Sequence, residues 1–219
     1  MAVRTLDLVA RHKSEYAAAR SPRLVTAGPG RYLALAGAGE AGGEAFRRQA
    51  AAVLAMGRAV RASTRARGKD FRLPPLEVLR WREAPPRRAP GEGAGDPGPA
   101  PEPPPDNAAR EWWKVLLRVP NFVKGPDLAA AAGALSGGPL EDEVCAVRVE
   151  ALKEGRCVQA VHVGPPSTEA ETVERMRRAA ADLGLAFHGK RHEILLTRSG
   201  RASPERSRTI LRQPVRTVR

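Results

Sequence analysis

Two short stretches each place one carboxylate among residues that otherwise belong in a core: Leu76-Glu77-Val78-Leu79 and His192-Glu193-Ile194-Leu195-Leu196. Both read as strands, in which successive side chains alternate faces. Glu77 then shares a face with Leu79 and Trp81. Glu193 shares one with Leu195, and His192, Ile194 and Leu196 take the other. If the Ile/Leu face packs on helices, both glutamates point into a common groove. A carboxylate in such a place finds a cationic partner, or desolvation raises its pKa. Raised, it can act as a general acid or base; ionised, it attracts a cationic ligand. The competing reading is a solvated glutamate on an exposed sheet face, the usual fate of a charged side chain.

Aromatic residues make up only 4% of the chain, so each one is worth locating. Trp81, Trp112 and Trp113 could wall a site for a flat ligand or fill a core. Tyr32, in the strand expected over 31–36, joins them as a ligand-binding candidate. His162 lies between Val161 and Val163 with no nucleophile or metal set nearby. It reads as a strand histidine with satisfied hydrogen bonds and is kept as a possible ligand contact. His188 and His192 are four apart, a spacing that binds metal on a helix, but here they fall in a strand without further ligands. No metal and no organic cofactor is expected. The glycines at 37, 39, 42 and 43 form a loop, without the acidic ribose partner of a dinucleotide site.

The elements that must position these residues follow from periodicity. In the first half, a strand over 31–36 precedes a glycine-rich turn and an amphipathic helix over 44–67. That helix carries Phe46, Ala50, Val53, Leu54, Gly57 and Val60 on one face. A strand over 76–81 follows. In the second half, a strand over 112–119 leads to a weaker helix over 127–135. Runs 144–152 and 156–163 read as a hairpin turning at Glu154-Gly155. Thr168 and Glu171 suggest a capping box before a helix bearing Val173, Met176, Ala180 and Leu183. Residues 191–197 form the closing strand. The halves rhyme as strand, helix, then a strand carrying a glutamate. The expected fold class is α+β, a pseudo-dimer of two sheets with helices on one side and a groove between the halves.

Between the halves, Ala84 to Ala109 reads APPRRAPGEGAGDPGPAPEPPPDNAA, with almost nothing to bury, and is expected to be a disordered linker. The domain reading is therefore an N-terminal segment 1–21, a first half 22–83, a linker 84–110, a second half 111–197 and a basic tail 198–219. Lys plus Arg (37) less Asp plus Glu (24) gives +13, which favours anionic partners. The tail holds seven arginines. It is read as mostly solvated surface, in part packed on the domain, and no specific nucleic-acid contact is expected. No apolar run approaches the ~20 residues of a membrane span, and Arg4, Asp7, Arg11 and Lys13 interrupt any signal-peptide core. Cys145 and Cys157 make neither a disulfide framework nor a zinc site, so a reducing, cytoplasmic location is expected.

The sequence resembles the GyrI-like small-molecule-binding family, chiefly its stand-alone members, from about Asp7 to Val215 outside the linker. The resemblance is carried by Arg31-Tyr32-Leu33-Ala34-Leu35-Ala36-Gly37 and Pro74-Pro75-Leu76-Glu77-Val78-Leu79-Arg80-Trp81. The second half adds Pro120-Asn121-Phe122-Val123, Glu154-Gly155-Arg156-Cys157-Val158-Gln159 and His162-Val163-Gly164-Pro165. It closes on Lys190-Arg191-His192-Glu193-Ile194-Leu195-Leu196 and Thr209-Ile210-Leu211-Arg212-Gln213-Pro214-Val215. The resemblance implies paired βαββ units around a central ligand cleft, with Glu77 and Glu193 in or near it. It also implies an amphipathic or polycyclic small-molecule ligand. One stand-alone subgroup is similar to cyclopropanoid cyclopropyl hydrolases, which detoxify DNA-alkylating compounds by adding water to a strained ring. Pro166 stands where relatives usually have Tyr, Arg80 where they often have Trp, and Ala55 and Ala59 in place of helical tyrosines. The function expected is hydrolytic detoxification, with Glu193 activating water and Glu77 assisting. The alternative is a binding protein that sequesters or senses drugs without turnover.

Overall fold

A computed structural model describes residues 4–40, 42–82, 111–197 and 203–218; the expected linker, 84–109, lies outside them. The chain begins with β1 (Thr5–Asp7), α1 (Leu8–Arg11), α2 (Lys13–Tyr16), β2 (Arg23–Ala27) and β3 (Gly30–Ala38). A long helix α3 (Glu44–Ala66) leads to β4 (Asp70–Arg72) and β5 (Glu77–Arg82). After residue 110 come β6 (Glu111–Val119), α4 (Gly125–Gly133), α5 (Glu141–Ala146), β7 (Arg148–Leu152) and β8 (Gly155–Val163). The chain continues through α6 (Glu169–Ala181), β9 (Leu185–Phe187), β10 (Arg191–Leu195) and β11 (Arg208–Thr217).

Among the described residues, eight strands form one antiparallel sheet, not the two expected, because β5 and β10 pair across the halves; the order is β2-β8-β11-β10-β5-β6-β3-β7. β9 joins as a ninth strand against one end of β11, and β1 pairs with β4 separately. Directly paired residues share a face in such a sheet, so register identifies each surface. Leu35, Val115, Val78, Glu193, Leu211 and Ala160 form one row across six strands. This row faces the helices. On one side of it, α3, α4 and α5 bury Val53, Met56, Val60, Ala131 and Val144 against Leu33, Val78, Trp113 and Val115. On the other, α6 buries Met176 and Ala180 against Ala160 and Leu211. The helix α3 lies close to the sheet because Gly57 has no side chain: a Cβ there would stand 2.2 Å from Leu117 Cδ2.

The next row, Ala34, Leu116, Glu77, Ile194, Ile210 and Val161, points the other way. On that face the N-terminal helices lay Val9 and Tyr16 on Val161, Ile194 and Ile210.

Several expectations are corrected. Residues 144–152 and 156–163 are not a hairpin. Gly155 turns with a positive φ of 73°, but β7 then pairs with β3 while β8 pairs with β2 and β11. Part of the basic tail is a buried central strand, β11, whose guanidinium at Arg212 is neutralised inside the fold. Thr168 stands at the N-cap of α6, but its side chain makes no capping bond to the helix; its hydroxyl donates to the Pro165 carbonyl at 3.0 Å at the end of a short 3-10 turn. On the outer face of α6, Glu171 and Arg175 lie 3.9 Å apart and Glu174 and Arg178 3.2 Å apart, each an i,i+4 ion pair. No helix among the described residues is long and apolar enough to cross a membrane.

Candidate functional site

Glu193 sits at the seam between the two helix-covered cores. Its cross-strand neighbours are Val78, packed beneath α3, and Leu211, packed beneath α6. A carboxylate buried to 3% exposure in this row needs charged partners. Arg80 Nε donates to one oxygen at 2.8 Å and Arg191 Nη2 to the other at 2.7 Å. Both arginines lie two residues from a central-strand position on the same face, so strand alternation delivers them together. Arg191 Nη2 also lies 3.3 Å from Oε2 of Glu169, the first residue of α6. Burial, followed by the charge of Glu193, pushes the Glu169 carboxyl up to about 7 against the pull of Arg191 and Arg80. The Arg80 guanidinium stands over the Phe46 ring of α3 at 5.3 Å. Its Nη1 is buried and has no hydrogen-bond acceptor among the described residues. Two carboxylates, one near neutrality, thus flank guanidinium groups with a donor to spare. Such a set can move a proton and steady a developing oxyanion.

The opposite face holds a second, closed network. Tyr16 donates its hydroxyl to Glu77 at 2.6 Å. His192 lies between two carboxylates, 2.9 Å from Glu77 and 2.9 Å from Glu154. These are close ionic contacts that lie off the ring N–H directions. Arg212 reaches Glu154 at 2.9 Å, Gln159 at 3.1 Å and the Glu15 carbonyl at 2.6 Å. Arg118 pairs with the Glu15 carboxylate at 2.8 Å. Burial would strip the proton from His192, but Glu154 and Glu77 outweigh it and raise its pKa to about 9. Burial acts to raise Glu154, yet His192 and Arg212 hold it down at about 2. The Tyr16 and Tyr32 hydroxyls are pushed up, first by burial and then by Glu77. The network ties the N-terminal helices to the sheet and leaves Glu77 only 1% exposed.

The expected site residues therefore divide between two faces. Glu193 and Glu77 do not share a groove: the register that pairs Glu193 with Val78 pairs Glu77 with Ile194. Glu77 does share its face with Leu79 and Trp81, as alternation requires. Trp81 and Trp112 pair across β5 and β6 on that face, stacked at 6.3 Å and 11°, with Lys190 Nζ 3.3 Å above the Trp81 ring. Tyr32, on β3, lies on the Glu77 side and is 2% exposed. Trp113 is on the helix side but fully enclosed, edge-on to Phe46 and donating to Gln49 at 2.7 Å. His162 faces α6: its Nε2–H donates to the Pro165 carbonyl at 3.1 Å, and its Nδ1 lies within hydrogen-bond distance of the Thr172 hydroxyl, at 3.1 Å. Sequence reasoning missed Glu169, Arg191 and Arg80 as one set. Glu169 looked like part of a helix start. The usable signal was alternation within Arg191-His192-Glu193, which puts an arginine beside the carboxylate.

Three solved structures from Listeria innocua are similar to this chain. An uncharacterized conserved protein is 30% identical, with a TM-score of 0.79, covering 97% of this chain and 100% of its own. Two proteins described as hydrolases are 27% and 26% identical, with TM-scores of 0.78 and 0.79 and the same coverage. The chain belongs to the family of that conserved protein. No protein-family model matches the chain, and no curated protein matches it.

Proposed function

We propose that the chain is a GyrI-like hydrolase that adds water to a strained, electrophilic small molecule held at the seam between α3 and α6. The observation that carries this reading is Arg80 Nη1, a buried donor without an acceptor among the described residues, beside the Glu169–Arg191–Glu193 set. Leaving such a donor unmet costs about 1–3 kcal/mol in general, and a substrate oxygen would meet it. The two relatives described as hydrolases support the reaction class. The matching element orders β3-α3-β5-β6 and β8-α6-β10-β11, each with one further three-residue strand (β4 or β9) after the helix, support a pseudo-twofold pair of βαββ halves.

The substrate proposed is a cyclopropane conjugated to a dienone, as in DNA-alkylating polycyclic compounds. Glu169, half ionised near neutral pH, accepts a proton from water as the water oxygen bonds to the ring methylene carbon. The ring C–C bond breaks and its electron pair moves into the conjugated system, leaving charge on the carbonyl oxygen. Arg80 and Arg191 stabilise that oxyanion, and protonation gives a phenol, so the net change is addition of one water. Glu193 holds both guanidinium groups in place. Glu77 lies on the other face and takes no part in this scheme.

The test is incubation with a spirocyclopropyl-dienone alkylator followed by mass analysis. Gain of one water by the ligand, abolished in Glu169→Gln, is the expected result. Stoichiometric binding with the ligand recovered intact would make the protein a sequestering binder instead.

A further inference from the structure

A cleft of about 370 Å³ lies away from the Glu193 seam, where α1 meets the start of β3 and the end of β6. Four basic side chains line it: Arg11, His12, Arg31 and Arg118. No carboxylate belongs to the lining. Arg118 is satisfied by Glu15 at 2.8 Å. Arg31 is not satisfied: its Nε is buried and has no hydrogen-bond acceptor among the described residues. Arg11 is exposed and has no ion-pair partner among them. With Glu15 counted against Arg118, and with His12 set aside because burial and then Arg118 lower its pKa, two cations are left over in one concavity. Part of the remaining wall is apolar, built from Leu6, Leu8, Val119 and Phe122, with Asn121 beside them. A second cleft, of about 200 Å³ beside His162, differs because Glu171 accompanies Arg20 and Arg175 there.

We propose that the α1–β3–β6 cleft is a binding site for a small organic anion, with its phosphate or carboxylate group on Arg31 and Arg11 and its apolar body against Leu8 and Phe122. Guanidinium donors suit both headgroups, because their fork matches paired oxygens. A cleft of this volume falls within the range of small-molecule sites, roughly 300–1,000 Å³. The apolar wall distinguishes it from a bare surface patch, which would take inorganic ions as readily as organic ones.

The experiment is isothermal titration with phenyl phosphate, benzoate, inorganic phosphate and benzyl alcohol as separate probes. The full chain is used at low salt as wild type, Arg31→Met, Arg11→Met and Arg20→Met. At least one of the two organic anions should bind, and the stronger one identifies the headgroup. Inorganic phosphate and benzyl alcohol should each bind at least about tenfold more weakly, since each keeps half of the recognition. Arg31→Met should weaken the organic anion by about tenfold or more, as loss of a charge-assisted contact does. Arg11→Met, exposed and with little bearing on folding, should weaken it by about threefold or more through lost attraction. Arg20→Met, at the other cleft, should leave affinity unchanged. If neither organic anion binds, or if both bind Arg31→Met and Arg11→Met as well as wild type, the proposal is overturned. Equal loss in Arg20→Met would reduce the effect to net charge and overturn it as well. Hydrolysis at the Glu193 seam is not read in any arm, so the two proposals fail separately.

Discussion

Glu77 and Glu193 lie on hydrogen-bonded strands one row apart, and they point to opposite faces of the sheet. Each is the one charged member of its six-residue row. Each is neutralised locally, Glu193 by Arg80 and Arg191, Glu77 by His192. The two carboxylates thus belong to different machinery, and substitutions at them should have different consequences.

Glu193→Gln keeps the shape of the side chain but removes the charge that holds two guanidinium groups. Turnover of a cyclopropyl-dienone substrate should fall by about 10²-fold or more, measured in single turnover with enzyme in excess. An unchanged rate would remove the Glu193 seam from the reaction.

The rate should depend on pH through Glu169. Its carboxyl is raised to about 7, so its basic form accumulates as pH rises through that value. The rate should climb with pH and level off above neutrality. Glu169→Gln should abolish that limb, and retention of it in the variant would assign it to another group.

Trp81→Ala should separate the two faces. The indole stacks on Trp112, on the face opposite Glu193. Losing the stack should cost about 1 kcal/mol of stability, while hydrolysis changes by no more than about twofold. Loss of substrate affinity by more than about tenfold would place the ligand on the Trp81 side.

His192 should give stability an alkaline limit. Its pKa is raised from 6.5 to about 9 in the fold. The stabilisation is therefore complete below about pH 6.5 and is lost as pH rises through about 9, on the order of 3 kcal/mol in all. Glu154 acts in the other direction, with stability present above its ordinary range near 4.5 and lost as pH falls toward 2. Thermal midpoints between pH 6 and 10 should decline in the wild type. They should be lower in His192→Gln and should decline less steeply between pH 7 and 9 than in the wild type.

Gly57→Ala tests the contact between α3 and the sheet. Alanine is the better helix former by about 1 kcal/mol. The added Cβ, however, would stand 2.2 Å from Leu117 Cδ2, and Leu117 is fully buried. Overpacking of this kind costs about 1–3 kcal/mol, so the denaturant midpoint should fall rather than rise.

The strands that carry apolar alternation were legible, as were α3 and α6, because one period decides each. β11 was not legible. Its arginines resemble a solvated tail, and only the fold supplies the Glu154 carboxylate and Glu15 carbonyl that let Arg212 be buried. The turn at Gly155 was read correctly as a turn but wrongly as a hairpin, since a local signal does not name a strand's partner. Alternation gave the face of Glu77 relative to Leu79 and Trp81. It could not give the register between β5 and β10, which separates Glu77 from Glu193.

The strand order has a consequence for how the chain holds together. β2 precedes residue 83 yet forms its ladder with β8, and β6 follows residue 110 yet lies between β3 and β5. A cut between 82 and 111 would therefore leave two interlocked fragments. Each would own strands that complete the other's sheet, and neither could be expressed alone as a folded unit. Mixed together, they should reconstitute one protein, which makes that break a natural place to split the molecule into a complementing pair.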